Sequence, residues 1–390
     1  MIRRPPRSTL DRSSAASDVY KRQENNSAFI GTLGYGLFGQ IETGRTTTPD
    51  PVKLQSLFSL WENQVDSVAM EVSSHALDQG RTEGTEFNTA VFTNFSRDHL
   101  DYHKTVDDYI NAKFSLFEKT GLQNAVVNIG DPYGVKLVEK LSEDLNVFAY
   151  STKKTNLEFY KRQNISFIYC EKIETESFRK RIIEVQSPWG KATIKINLLG
   201  EFNIENVLAA FTVLCLSGAS TEAVAAKLSD FNGLPGRMEV FSSEDKPLIV
   251  VDYAHTPDAL EKALTSLKPY CKGELFCVFG CGGGRDSGKR AQMGSIAESL
   301  SDKIILTNDN PRDELPEKIF EDILKGIENK SKVIIKEDRS DALISTFLEA
   351  KKDDVILLAG KGHEITQKIG SSTIPFSDRE LAKRLTEEHT

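Results

Sequence analysis

Short, nearly continuous apolar runs recur along this chain, and helical patterns separate them. Between Ala28 and about Asn128 the runs are "AFIGTLG", "VDSVAMEV", "TAVFTNF" and "NAVVNI", with a helix after Thr105. Continuous apolar strands alternating with helices predict a largely parallel sheet covered on both faces. A β-rich insert follows, in which "RIIEVQS" and "ATIKINLLG" face each other across the turn Pro188-Trp189-Gly190-Lys191. Asn203 is then expected to cap the helix "IENVLAAFTVLCLSG", which ends at Gly218. Near "GLPGRMEV" the pattern restarts, and "LIVVDY", "LFCVFG", "KIILT", "KVII" and "DVILLAG" predict five strands of a second doubly wound unit. The boundary is expected around Gly236 to Pro247, and no internal repeat is visible.

The helix "VDDYINAKFSLFEKTG" opens with Thr105 as its N-cap, carries Asp108 three residues on, and closes at Gly121. Its apolar stripe is Val106, Tyr109, Ile110, Phe114 and Phe117, and Lys113 falls inside that stripe. One reading is a stem that snorkels to the surface. The other is a lysine that serves a site, because "MEVSSH" and "TNFSRDHLDYH" lie at carboxyl ends of strands, where open α/β sheets place their ligands. Those loops offer Glu71, Ser73, His75, Asp98, His99 and His103, a set suited to magnesium and phosphate chemistry. A free ammonium repels a cation, whereas Lys113 converted by carbon dioxide to a carbamate is an anionic ligand.

"CGGGRDSGKR", Cys281 to Arg290, begins like a nucleotide-binding P-loop, but Arg290 stands where a magnesium-binding Ser or Thr belongs. A glycine turn after a strand serves any close approach of backbone to ligand. The 390 residues, 39% apolar and 27% charged, suit a soluble protein of two or three domains. A net charge of -8 argues against bulk attraction to nucleic acid or to an anionic membrane. Five scattered cysteines without a paired C-x-x-C spacing fit a reduced, cytoplasmic location and no zinc site. No apolar run approaches a membrane span. The first 23 residues, rich in Arg and Ser and without hydrophobic periodicity, read as a non-native, disordered leader with no function.

Nine motifs stand in an order that resembles the Mur ligase family, and within it the meso-diaminopimelate-adding type: "EVSSHALDQGR", "FTNFSRDHLDYH", "YINAKF", "GEFNIENVLAA", "GLPGRMEV", "VDYAHTPDAL", "GCGGGRDSGKR", "DNPR" and "AGKGHE". The resemblance covers residues 27 to 390 and implies an α/β fold. A central P-loop-type parallel-sheet domain, incomplete and spanning 24–236, precedes a Rossmann-like, doubly wound C-terminal domain at 237–390. The family's P-loop, a GKT or GKS segment, is expected before "SAFIGTLGYG" and is not in this sequence, so the chain is expected to be an inactive fragment.

The implied reaction adds meso-diaminopimelate to UDP-MurNAc-L-Ala-D-Glu with ATP and Mg2+, through an acyl phosphate, in peptidoglycan synthesis. The resemblance makes Lys113 the carbamylated lysine, with Glu71 and His99 as the other magnesium ligands. It places Thr47, Thr48, Ser73, Gln79 and Arg81 on the uridine substrate and Asn203, Asn206, Arg237, Asp252 and His255 on ATP. Arg285, Asp309, Asn310, Pro311, Arg312, Gly360 and Glu364 resemble the diaminopimelate pocket. Neither nucleic acid nor membrane is an expected partner, and a monomer is expected. Competing readings are a lysine-adding Mur ligase, a folylpolyglutamate synthase-like ligase, and a non-catalytic binding protein that lost its P-loop.

Overall fold

The run at Ala28 forms a strand, β1 (Ser27–Gly31), but the chain then reverses direction twice instead of entering a helix. β2 (Gly34–Leu37) and β3 (Gln40–Glu42) are antiparallel additions, and β4 (Ser67–Met70) joins the other edge of β1 in parallel. The computed structural model describes residues 27–37, 39–44, 46–96, 100–153, 165–177 and 179–387; the leader, Asp98 and His99 lie outside them. Described residues up to Asn232, apart from two short stretches, form one compact unit, and those from Gly233 form a second.

The first unit departs from the single sheet expected. β5 (Thr89–Phe92), β6 (Asn124–Asn128), β7 (Asn146–Ser151) and β8 (Ile165–Thr175) are parallel neighbours, and β9 (Arg181–Ser187) and β10 (Gly190–Ile196) add antiparallel strands. β4 and β5 each end their own sheet and share no ladder. They do share a core: Ile30, Val68, Met70, Phe92, Val127 and Phe114 belong to one cluster of buried side chains. Each such side chain contributes about 1.5–3 kcal/mol relative to exposure, so packing holds the two sheets together where hydrogen bonds do not.

β9 and β10 pair as expected, with Ser187 opposite Gly190, although β10 stops at Ile196 and does not run to Gly200. The helix Phe202–Leu216 starts one residue before Asn203, which therefore sits inside the first turn and is not its cap. Asn206 donates from Nδ2 to Asn203 Oδ1 at 3.1 Å, so the two side chains bond each other across that turn. Thr105 caps Val106–Phe114 by accepting from Asp108 N, but the α-helix stops at Phe114 and tightens into a 3-10 turn, Ser115–Glu118.

In the second unit all five expected strands form: β12 (Leu248–Asp252), β13 (Leu275–Phe279), β14 (Lys303–Leu306), β15 (Val333–Ile335) and β16 (Val355–Ala359). They are parallel in the order β12-β16-β13-β14-β15, with β11 (Glu239–Phe241) antiparallel on the β12 edge. The helices Pro257–Leu267, Gly288–Leu300 and Pro316–Leu324 pack together in series, while Arg339–Glu349 packs with Asp378–Glu387. The hairpin β17 (Thr366–Ile369) and β18 (Ser372–Pro375) follows β16. Parallel order brings the loops after β12, β13, β14 and β16 to one end of the sheet.

Candidate functional site

In the first unit the carboxyl ends of β1 and β4 meet at Glu71. Thr32 donates to Glu71 Oε2 from its backbone N at 2.9 Å and from Oγ1 at 2.7 Å, and its hydroxyl lies 3.0 Å from that of Thr47. Thr48, fully buried, donates to Glu71 O at 2.8 Å and accepts from Ser73 N at 3.0 Å. Ser73 caps the short helix Ser74–Asp78 by accepting from Ala76 N. Arg81 donates to Thr48 O at 3.0 Å and to Gln79 Oε1, and Gln79 donates to the Tyr102 hydroxyl at 3.1 Å. The five residues assigned to the uridine substrate are thus one hydrogen-bonded group around Glu71. Thr32, which no motif singled out, holds that carboxylate.

Lys113 is 8% exposed, and its Nζ lies 5.5 Å from the centre of the Tyr109 ring. That ring stacks on His103 at 5.2 Å and meets Phe95 at 4.9 Å. His103 reaches Ser74 Oγ at 2.9 Å and faces His75 at 5.4 Å. His75 and His103 therefore take part in ring packing beneath the site. Glu71 and Thr47 supply only hard oxygens, a donor set that fits magnesium. Of the three expected metal ligands, His99 lies outside the described residues.

In the second unit Asp252 ends β12 and is nearly buried, accepting from Met238 N and Ala254 N, each at 2.8 Å. Burial raises its pKa against the opposing pull of Arg237. Arg237 lies over the Tyr253 ring at 4.5 Å, and His255 Nδ1 is 2.8 Å from Tyr253 O. The loop that carries Arg237 needs glycine at Gly236, where φ is +66° and a Cβ would stand 2.1 Å from Gly362 C. Arg237, Asp252 and His255 are thereby drawn together beside the "AGKGHE" loop.

The loops after β13, β14 and β16 form a second, adjoining group. Asn310 donates to Glu364 Oε2 at 2.9 Å and accepts from Lys368 N at 2.9 Å. Lys361, with no exposed surface, donates to Glu364 Oε2 at 2.8 Å and to Asn310 Oδ1 at 3.3 Å. Burial would raise the pKa of Glu364, but the charge and hydrogen bond of Lys361 bring it below the ordinary value. Asp309 is 8% exposed, and its carboxyl has no hydrogen-bond partner among the described residues. Burial raises its pKa, opposed by Arg339 and Lys361. Gly360 N donates to Asp252 O at 3.1 Å, which ties this group to the end of β12. Lys361 lies inside a quoted motif, yet sequence reasoning passed over it.

Arg312 holds a left-handed backbone, φ +54°, which for a residue other than glycine needs an external restraint. The hairpin supplies it: Arg312 N donates to Lys368 O at 3.1 Å, and Gly370 N donates to Arg312 O at 2.7 Å. Nη1 donates to Gly283 O at 2.9 Å and Asn310 O at 3.3 Å. The hydrogen bonds of Arg312 to described residues use Nη1 alone, and Nε and Nη2, which have no such partner, are the two donors with which a guanidinium meets a planar anion. Exposed Arg285 lies alongside: a Cβ on Gly282 would stand 2.9 Å from Arg312 Nη1 and 3.6 Å from Arg285 Cγ.

This geometry accounts for the glycine run. A Cβ on Gly283 would stand 1.8 Å from Pro311 O, so the turn after β13 admits the "DNPR" loop. Arg290, at the position of the P-loop hydroxyl, is buried and grips Glu314 through Nη1 at 2.7 Å and Nη2 at 2.8 Å, and Asp322 at 3.0 Å. The hydrogen bond from Arg290 pulls the Glu314 pKa down from 4.5 to about 2, despite the opposing effect of burial. A depressed pKa means that this stabilisation is complete above the ordinary carboxylate value and is lost as pH falls toward the folded one. Glu314→Gln is therefore expected to lower the unfolding temperature most at neutral pH, with the difference from the parent shrinking below 4.5 toward about 2. Thermal unfolding across that range checks it, and a difference that does not vary with pH contradicts it.

Two family models match in order: "Mur ligase middle domain" over residues 13–214 and "Mur ligase, glutamate ligase domain" over 236–362. The chain is 46% identical over 358 residues to the UDP-N-acetylmuramoyl-L-alanyl-D-glutamate--2,6-diaminopimelate ligase of Coxiella burnetii, covering 91% of this chain and 72% of that one. It is 44% identical to the protein of the same name from Pseudomonas aeruginosa, covering 91% and 71%. A solved structure of a ligase with that name superposes with a TM-score of 0.65 at 33% identity, covering 98% of this chain and 79% of that one. Mycobacterium tuberculosis folylpolyglutamate synthase complexed with ADP shares the fold, with a TM-score of 0.72 at 16% identity over 91% and 88% of the two chains. Both domain models in their order, and close relatives of which this chain covers more than two thirds, establish that the chain belongs to the Mur ligases, a family of ATP-dependent acid–amino-acid ligases.

Proposed function

We propose that this chain carries the machinery for adding meso-diaminopimelate to UDP-MurNAc-L-Ala-D-Glu in peptidoglycan synthesis. The observation that carries this reading is Arg312, whose Nη1 is held by Gly283 O and Asn310 O, leaving Nε and Nη2 for a ligand, beside Asn310, Lys361 and Glu364. Diaminopimelate has a carboxylate at its distal end where lysine has none, and a guanidinium edge pairs with a carboxylate through two parallel hydrogen bonds. Asp309, nearly buried and without a hydrogen-bond partner among the described residues, suits an incoming ammonium. The relatives named as 2,6-diaminopimelate ligases support the same substrate.

The group around Glu71 holds the nucleotide-linked substrate in this reading: Arg81 and Gln79, bonded to each other, are proposed contacts to it, and so are Thr47, Thr48 and Ser73, which are linked to Glu71. ATP transfers its terminal phosphoryl group to the glutamate carboxylate and leaves as ADP. The amine of diaminopimelate attacks the resulting acyl phosphate, the new C–N bond replaces the C–O bond to phosphate, and the amine loses a proton. Glu71, His99 and a carbamylated Lys113 are the residues that would hold a magnesium ion, which when bound would supply positive charge against the transferring phosphoryl group. Asn203, Asn206, Arg237, Asp252 and His255 are the proposed nucleotide contacts. The protein is expected to work as a monomer in the cytoplasm, and no helix among the described residues is long and apolar enough to cross a membrane.

The test is phosphate release by the full-length ligase with ATP and the UDP-dipeptide. Release should depend on meso-diaminopimelate and be far slower with L-lysine. Equal rates with both amino acids would contradict the assignment.

A further inference from the structure

Arg339 and Asp378 form an ion pair with no side-chain exposure, and neither belongs to the site residues assigned above. Arg339 donates from Nε to Asp378 Oδ1 at 2.8 Å and from Nη2 to Oδ2 at 2.7 Å, two parallel bonds. Both residues open helices, Arg339–Glu349 and Asp378–Glu387. The same guanidinium reaches two backbone carbonyls: Nη2 donates to Ala359 O at 2.9 Å and Nη1 to Asn308 O at 3.5 Å.

Those carbonyls identify what the pair does. Ala359 is the last residue of β16, immediately before Gly360 and Lys361, and Asn308 immediately precedes Asp309 and Asn310. β14 and β16 are not neighbours, since β13 lies between them, so no ladder sets the distance between the loops that follow them. Arg339 spans that gap beneath the sheet's carboxyl end. A buried ion pair is weak as a source of stability, because apolar residues of similar volume stabilise a core as well or better. Apolar residues have no donor for Ala359 O or Asn308 O.

We propose that Arg339, held by Asp378, is a positioning residue that sets the spacing between the Asp309–Arg312 loop and the Gly360–Glu364 loop, and with it the fit of the amino-acid substrate. The proposal rests on reading those loops as the diaminopimelate pocket. The informative variant is R339M/D378L, which removes both charges together and leaves neither buried alone. In the full-length ligase its KM for meso-diaminopimelate should rise about tenfold or more, because small displacements of a positioning shell are costly. Its KM for ATP and its unfolding temperature should stay close to those of the parent. Amide hydrogen exchange at Asn310, Arg312 and Gly360 to Glu364 should quicken.

A folded double variant with an unchanged KM for meso-diaminopimelate and unchanged exchange overturns the proposal. Parallel rises in both KM values indicate general loosening and overturn it too. If the double variant does not fold, Arg339→Lys keeps the charge beside Asp378 but lacks the fork, and the same criteria apply to it. A parent enzyme that fails to use meso-diaminopimelate would count against the substrate assignment, while exchange in the two loops still decides the role of Arg339.

Discussion

Replacing Arg312 by glycine is expected to erase the preference for meso-diaminopimelate over L-lysine while leaving the fold intact. Glycine is the informative substitution because the backbone at this position is left-handed, a conformation that glycine adopts without strain. The side chain lost is one whose Nη1 is anchored to Gly283 O and Asn310 O and whose Nε and Nη2 are left for a ligand. Removing one partner of a desolvated, charge-assisted pair costs roughly 2–4 kcal/mol of discrimination, or about 30- to 700-fold in the ratio of kcat/KM values. Arg312→Lys should recover little of this, since an ammonium cannot present two parallel donors from the same anchor. Steady-state rates with each amino acid at saturating ATP and UDP-dipeptide read the ratio directly. A glycine variant that keeps the parental ratio would show that another residue reads the distal carboxylate.

How much of this was legible beforehand depends on the length of the signal. The five parallel strands of the second unit are four- and five-residue apolar runs, apart from the three-residue β15, and turns and helical patterns punctuate them, so each announced itself. β2, β3, β17 and β18 are three or four residues long and largely glycine-rich or polar, and nothing in their periodicity separates them from loop. Yet the hairpin of β17 and β18 is what holds Arg312 in its left-handed conformation. Asn203 was misplaced for a related reason: Asn is a strong cap former, but here its side chain bonds Asn206 one turn on and the helix begins at Phe202.

The candidate site residues of each unit show the same division. Glu71, Asn310 and Arg312 stand in motifs whose chemistry is readable from residue type and order. Thr32, Lys361 and Arg339 act through tertiary contacts with residues 39, 3 and 39 positions away, respectively Glu71, Glu364 and Asp378. The close pair within "AGKGHE" was within reach of a sequence argument, since a lysine three residues before a glutamate on a tight loop is placed to bond it. The distant pairs carry no local pattern. The glycine run at Cys281 was legible as a turn, but its partner, the Pro311 carbonyl, lies on a loop after a different strand.

Lys113→Ala is expected to be nearly inactive in the full-length ligase, with the fold retained. Alanine is at least as good a helix former as lysine, and the Val106–Phe114 helix keeps its Thr105 cap and its buried Tyr109, Ile110 and Phe114. What is removed is the side chain that carries a charge into a position 8% exposed, above the Tyr109 ring. If the working form is the carbamate, the loss is an anionic magnesium ligand at the phosphoryl-transfer step, and removing a group that stabilises transition-state charge costs on the order of 10²–10³ in kcat. Two further results separate this from a loss of packing. Lys113→Arg keeps the length and the positive charge but cannot take up carbon dioxide as a carbamate, so it should be as inactive as the alanine variant. Short carboxylic acids added to Lys113→Ala should restore part of the rate, because a small carboxylate in the vacated space supplies the missing anion, whereas short amines should not. Full activity of Lys113→Ala would show that the reaction needs neither form of this side chain, whereas full activity of Lys113→Arg, or recovery of Lys113→Ala with amines and not with acids, would show that Lys113 acts as a cation; each result removes the carbamate from the reaction.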